Sequence, residues 1–201
     1  LSQILPFDNP CLERLYLFLK HLQNKIPKEK EEDLAKEILD KQITIVSLGG
    51  EDKEYLLNAC DMLGTPFFKA LPTTDVKGVL LGGSLKNVIA IAGGIMEGLG
   101  YNHNTRAALI TRGIVEMLRF GSYFGARPGT FYGPSGMGDL ILTTTGELSR
   151  NKSFGIEIAK GRRPDDIIRA SKSVVEGYKT AKAAHLLAVR KHISARIFTG
   201  I

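Results

Sequence analysis

The 201 residues carry a formal net charge of +6, with 43% apolar and 24% charged side chains. That is the balance of a globular chain able to bury a core, as one domain or two small ones. No apolar run approaches the roughly 20 residues of a bilayer span, and Leu1–Pro6 lacks the basic flank of a signal peptide. Cys11 and Cys60 lie far apart without metal-type spacing, a usage that suits a reducing, cytoplasmic compartment. The positive charge favours anionic partners. No dense basic stripe and no interleaved aromatics mark a nucleic-acid protein, which leaves a small phosphorylated ligand as the anion to look for.

In chain order, Asp8 or Asn9 caps a helix over 8–25, with Pro10 in its first turn and Leu12, Leu15, Phe18, Leu19 and Leu22 on its apolar face. A charged stretch from Lys25 to Asp33 leads into a second helical piece near 31–40. Gln42–Leu48 is a β-branched run closed by Gly49 and Gly50, hence a strand; a helix over 51–63 and a strand over Pro66–Leu71 follow. Strand and helix alternate, as in a parallel-sheet domain.

From about residue 75 the pattern turns helical. Residues 75–99 form a long apolar stretch containing Gly82, Gly83, Gly93, Gly94 and Gly98. Those glycines suit a buried helix whose neighbours approach closely, at up to ~1 kcal/mol each in an isolated helix. A helix runs from Asn104 to Gly125, followed by a glycine-broken connector, a helix near 150–160, a short piece opened by Pro164 and a last helix over 176–191. The domain boundary falls near 75–80.

Three segments of the helical half carry polar groups where a packed helix normally has none. In Gly82-Gly-Ser-Leu-Lys-Asn87, Lys86 either faces a cleft, poised for proton transfer, or snorkels to water. In Gly133-Pro-Ser-Gly-Met-Gly-Asp139, the acid either favours a helix start or orients a lysine ammonium. Ser149-Arg-Asn151 opens a helix, either as a plain N-cap or as a phosphate site.

Together, Leu81-Gly-Gly-Ser-Leu-Lys-Asn-Val-Ile-Ala-Ile-Ala-Gly-Gly-Ile, Gly98-Leu-Gly, Arg106-Ala-Ala-Leu-Ile-Thr-Arg-Gly, Ser135-Gly-Met-Gly-Asp-Leu, Ser149-Arg-Asn and Val174-Val-Glu-Gly177 resemble the C-terminal domain of bacterial-type NAD(P)-dependent glycerol-3-phosphate dehydrogenase. The resemblance runs over about 40–190. It implies an α/β remnant of a Rossmann-type dinucleotide-binding domain over 1–77, followed over 78–201 by an all-α substrate domain of the 6-phosphogluconate-dehydrogenase C-terminal-like type. It implies a homodimer that binds glycerol 3-phosphate or dihydroxyacetone phosphate, with NAD or NADP as cofactor and no metal. Lys86 matches the proton acceptor and Asp139 the carboxylate that binds substrate and holds the lysine. Asn87, Thr143, Ser149, Arg150 and Asn151 match substrate contacts. Arg150, Val174 and Glu176 match positions that meet the cofactor.

The sequence departs from that family where the cofactor would sit. No G-x-G-x-x-G turn occurs, and only Lys25–Asp33 stands where the family has its Thr-Lys-Gly and Gly-Pro-Ser-Phe segments. The chain also opens on Leu1 and stops soon after His192, which points to an excerpt of a longer enzyme rather than a degenerate relative. The competing readings are a non-catalytic phosphometabolite-binding or oligomerisation remnant, and a dehydrogenase for 6-phosphogluconate or a 3-hydroxy acid.

Overall fold

The computed structural model describes residues 38, 40–146, 149–170 and 175–201. The helix expected over 8–25 lies outside them, as does nearly all of the piece near 31–40. Contacts divide the chain into Leu1–Ile43 and Thr44–Ile201, and every element numbered below belongs to the second unit.

β1 (Thr44–Gly49) and β2 (Phe68–Thr73) pair in parallel, with Thr44 opposite Phe68 and Gly49 opposite Thr73. Parallel neighbours need a crossover, supplied by α1 (Lys53–Leu63), whose first turn is capped by Asp52 Oδ1 accepting from the Tyr55 N–H at 2.9 Å. β2 begins two residues later than the sequence suggests. The Thr65 hydroxyl accepts from the Phe68 N–H at 2.9 Å, holding Pro66 and Phe67 in a turn. Pro72, which has no N–H to give, is tolerated because β2 is an edge strand among the described residues.

α2 (Val76–Gly98) is the central helix. Its length and composition would let it cross a membrane, which corrects the expectation that no run approaches that length: Lys77, Lys86 and Glu97 do not cancel the hydropathy of the Gly, Ala, Val, Ile and Leu around them. In this fold the apolar surface is spent on packing. Val88, Ile89 and Ala90 are fully buried, as expected of a helix that is hydrophobic all round. Against α2 pack α3 (His103–Tyr123), α5 (Asp139–Thr145), α6 (Arg150–Ala159) and α8 (Glu176–Lys191).

α3 ends at Gly125, whose φ of +73° lets Ala126 N–H return to the Gly121 carbonyl at 2.9 Å. The segment expected as a glycine-broken connector is more regular than that. It holds α4 (Pro128–Tyr132) and a π-helical turn over Pro134–Gly138 that runs straight into α5. α7 (Pro164–Ala170) follows α6, and α9 (Arg196–Gly200) closes the chain. The sequence reading did not foresee α9. It is anchored from outside itself: the buried Glu116 carboxylate of α3 accepts the Ile197 N–H at 2.8 Å.

The main core joins Leu85, Ile89, Met117, Phe120, Leu140 and Phe198. A smaller one gathers Ile91, Phe154, Ile167 and Val175. The whole is thus a small parallel α/β piece followed by an all-α body.

Candidate active site

Lys86 lies midway along α2, and Asp139 is the first residue of α5. What brings them together is the π-helical turn. A Cβ on Gly82, one helical turn before Lys86, would collide with the Ser135 carbonyl oxygen. The turn therefore rests on bare α2 backbone, and α5 leaves it with Asp139 facing Lys86. The ammonium lies 2.5 Å from Asp139 Oδ2, with 19% and 31% of the two side chains exposed. A charge-assisted contact that short and half-sheltered is stronger than a surface ion pair. Of the alternatives open in the sequence, Lys86 pairs rather than snorkels, and Asp139 holds a lysine as well as starting a helix. The Ser135 Oγ of the π-helical turn is buried, with no hydrogen-bond partner among the described residues.

Asn87 is 8% exposed and donates its amide to the Gly83 carbonyl at 3.3 Å, leaving the amide oxygen for other use. The Thr143 hydroxyl, one turn beyond Asp139, donates to the Asp139 carbonyl at 2.6 Å rather than to the carboxylate. Ser149 is the N-cap of α6 and accepts from the Lys152 N–H at 3.3 Å. Arg150 follows it, half-buried, with no side-chain hydrogen bond or ion pair among the described residues.

Asn151 has its oxygen engaged: Oδ1 accepts the Gly177 N–H at 3.0 Å. This places Asn151 beside Asn87, because a Cβ on Gly177 would lie 2.7 Å from both Asn151 Oδ1 and the Asn87 carbonyl oxygen. Glu176 is exposed at the first residue of α8. Val174 lies outside the described residues.

Two features escaped the sequence reading. α8 begins after Val175, which has no side chain able to cap it, so it borrows Asn151 from α6. An apolar N-cap was the available signal. The other is an ion pair between the buried Lys152 of α6 and the partly exposed Glu97 of α2, at 3.0 Å. A cavity of about 310 Å³ also opens between Ser47, Thr73, Arg127 and Thr130, but neither Lys86 nor Asp139 lines it.

Chemically, the site offers an ammonium held by a carboxylate and, in the first turn of α6, which packs on α2, an arginine and an amide donor. That suits handling one proton near an anionic group.

The model of a family described as the C-terminus of NAD-dependent glycerol-3-phosphate dehydrogenase matches residues 75–201. A glycerol-3-phosphate dehydrogenase (NAD(P)+) of Solidesulfovibrio magneticus is 49% identical over 153 residues, covering 76% of this chain and 46% of that protein. One of Oleidesulfovibrio alaskensis is 47% identical over 163 residues, 81% and 49% of the two chains. Among solved structures, glycerol-3-phosphate dehydrogenase of Coxiella burnetii superposes with a TM-score of 0.75 at 36% identity, covering 82% of this chain and 51% of that one. The chain spans about half the length of the curated relatives it matches.

Proposed function

This chain belongs to the NAD-dependent glycerol-3-phosphate dehydrogenases, and from that premise we propose that it interconverts sn-glycerol 3-phosphate and dihydroxyacetone phosphate with NAD or NADP. In this reading residues 1–77 are the reduced dinucleotide-binding part and 78–201 the substrate domain. The observation that carries it is the 2.5 Å contact between Lys86 Nζ and Asp139 Oδ2.

Lys86 takes the proton of the C2 hydroxyl during oxidation and returns it to the carbonyl oxygen during reduction. A positioned base of this kind contributes on the order of 10²–10⁴-fold. Asp139 fixes the position of the nitrogen. Arg150 meets the phosphate, for which its planar fork is better shaped than a lysine. Asn151 adds its amide donor, since its oxygen is committed to Gly177. Asn87, Thr143 and Ser149 complete the substrate contacts. Binding the phosphate away from the reacting carbon lowers the entropic part of the barrier.

A bound nicotinamide dinucleotide supplies or accepts the hydride. Arg150, Val174 and Glu176 are the residues that would meet it. The uncommitted Arg150 guanidinium and the exposed Glu176 fit that use, and a glycine-rich turn for the pyrophosphate is lacking among the 201 residues. The reading also carries a cytoplasmic homodimer with no membrane span. Cysteine usage argues for the compartment, and the exposed Leu186 and Val189 of α8 for a partner surface.

The test is oxidation of NADH and NADPH by the purified chain with dihydroxyacetone phosphate, beside Lys86→Ala. Turnover that disappears in the variant supports the reading. A silent chain that glycerol 3-phosphate still stabilises, except in Arg150→Ala, reduces it to a substrate domain without its cofactor partner. The absence of both turnover and stabilisation overturns it.

A further inference from the structure

Lys152 is a lysine where its own helix has little use for one. It stands in the first turn of α6, where the helix dipole disfavours a cation, and its side chain is only 7% exposed. Its ammonium lies 3.0 Å from Glu97 Oε2. Glu97 is the next-to-last residue of α2, an end where the dipole disfavours an acid. Each charge is misplaced for its own helix and is answered by the other across the crossing.

The backbone marks the same spot. A Cβ on Gly94, one turn before Glu97, would collide with the Lys152 carbonyl oxygen. The first turn of α6 is therefore registered on the last turns of α2 twice, by main chain and by charge. Arg150 and Asn151 are the two residues just ahead of Lys152, and Asn151 passes the register on to α8 through the Gly177 N–H. Glu97 has a second cation as well, Arg106 of α3 at 2.7 Å, so it stays paired if Lys152 loses its charge.

We propose that the Glu97–Lys152 ion pair is a positioning device for the phosphate-gripping turn, setting Arg150 and Asn151 against a substrate held at Lys86. This rests on the function proposed above and adds two positioning residues to it. Lys152 is buried while the Glu97 side chain stays 35% exposed, so the pair meets both solvent screening and a desolvation cost and gains little net stability. The separable contribution of this pair is therefore geometry.

The experiment compares Lys152→Met and Lys152→Arg with the unaltered 201-residue chain. Three quantities are read: melting temperature, hydrogen exchange of the Gly177 amide by NMR, and Kd for sn-glycerol 3-phosphate by calorimetry. Lys152→Met is expected to melt near the unaltered chain. Its Gly177 amide should exchange at least about tenfold faster, and its Kd should rise on the order of 10- to 100-fold, the scale of a small misplacement of binding groups. Lys152→Arg should restore both.

Unchanged Gly177 exchange and unchanged Kd in a folded Lys152→Met would overturn the proposal. So would faster exchange spread evenly over all amides, since that reports a merely structural role. If Lys152→Met does not fold, Glu97→Gln, which keeps the shape and removes the charge, is held to the same two readouts. If the unaltered chain does not bind glycerol 3-phosphate, the proposed function falls, and Gly177 exchange alone decides whether the pair sets the turn.

Discussion

The Asp75 carboxylate accepts from the Gly78 N–H at 3.0 Å on one oxygen, and from the Arg127 N–H at 2.8 Å and the Thr130 hydroxyl at 2.7 Å on the other. Burial works to raise its pKa, but those three bonds and the Arg127 charge outweigh it and hold the group below the usual carboxylate range. The folded form thus binds its proton less readily than the unfolded chain. Asp75 contributes stability that is fully present above the unfolded pKa of about 3.9 and is lost as pH falls through the depressed folded value. Asp75→Ala removes the N-cap of α2 and leaves the Arg127 N–H and the Thr130 hydroxyl unanswered. It should cost about 2–4 kcal/mol at neutral pH, read as a lower urea midpoint, and the gap from the unaltered chain should narrow in acid. At this scale local spacing left Lys86 and Asp139 open, since snorkelling and helix capping explain them as well, and it was the joint order of the motifs that singled them out. The sequence was silent on Asp75, two of whose three partners are 52 and 55 residues away.

The glycines of α2 show what a sequence leaves open at the scale of one helix. Their number announced close packing, but periodicity does not tell which of them a neighbour needs. Gly83 meets nothing within 4 Å of an added Cβ, whereas Gly82 and Gly94 would strike the carbonyls of Ser135 and Lys152. Gly83→Ala should therefore stabilise the chain by up to ~1 kcal/mol, the ordinary gain of alanine over glycine inside a helix. Gly94→Ala should destabilise it by ~1–3 kcal/mol through overpacking between helices. Gly82→Ala is the more telling change, since it touches neither member of the ion pair yet must push the π-helical turn, and Asp139 with it, away from Lys86. Circular dichroism should find the helices intact, while the Kd for glycerol 3-phosphate rises or turnover falls. Unaltered binding would mean that α5 is aimed by something other than its seat on α2.

Across the whole molecule, what was legible is what local pattern encodes. Strand-helix-strand, then helices with Lys86, Asp139 and the Ser149–Asn151 turn in order, could all be read along the chain. The capping of α8 by Asn151 and of α9 by Glu116 could not, because each is a long-range bond made by one side chain. The same contrast predicts where the chain opens first. The described sheet has two strands, and a lone pair of strands is marginal in water. Ile45 of β1 stays 50% exposed, whereas Val88 and Ile89 of α2 are at 0%. Amides open locally in proportion to how little buried apolar contact holds them. Hydrogen exchange followed by mass spectrometry should therefore find peptides spanning Thr44–Gly49 and Phe68–Thr73 exchanging well before those spanning Leu85–Gly94. Equal protection of strands and helix would require the sheet to gain a further partner strand in solution, whether from this chain or from another copy of it. A faster sheet would leave the helical body as the part that holds its shape alone, and with it the Lys86–Asp139 contact on which the proposed chemistry depends.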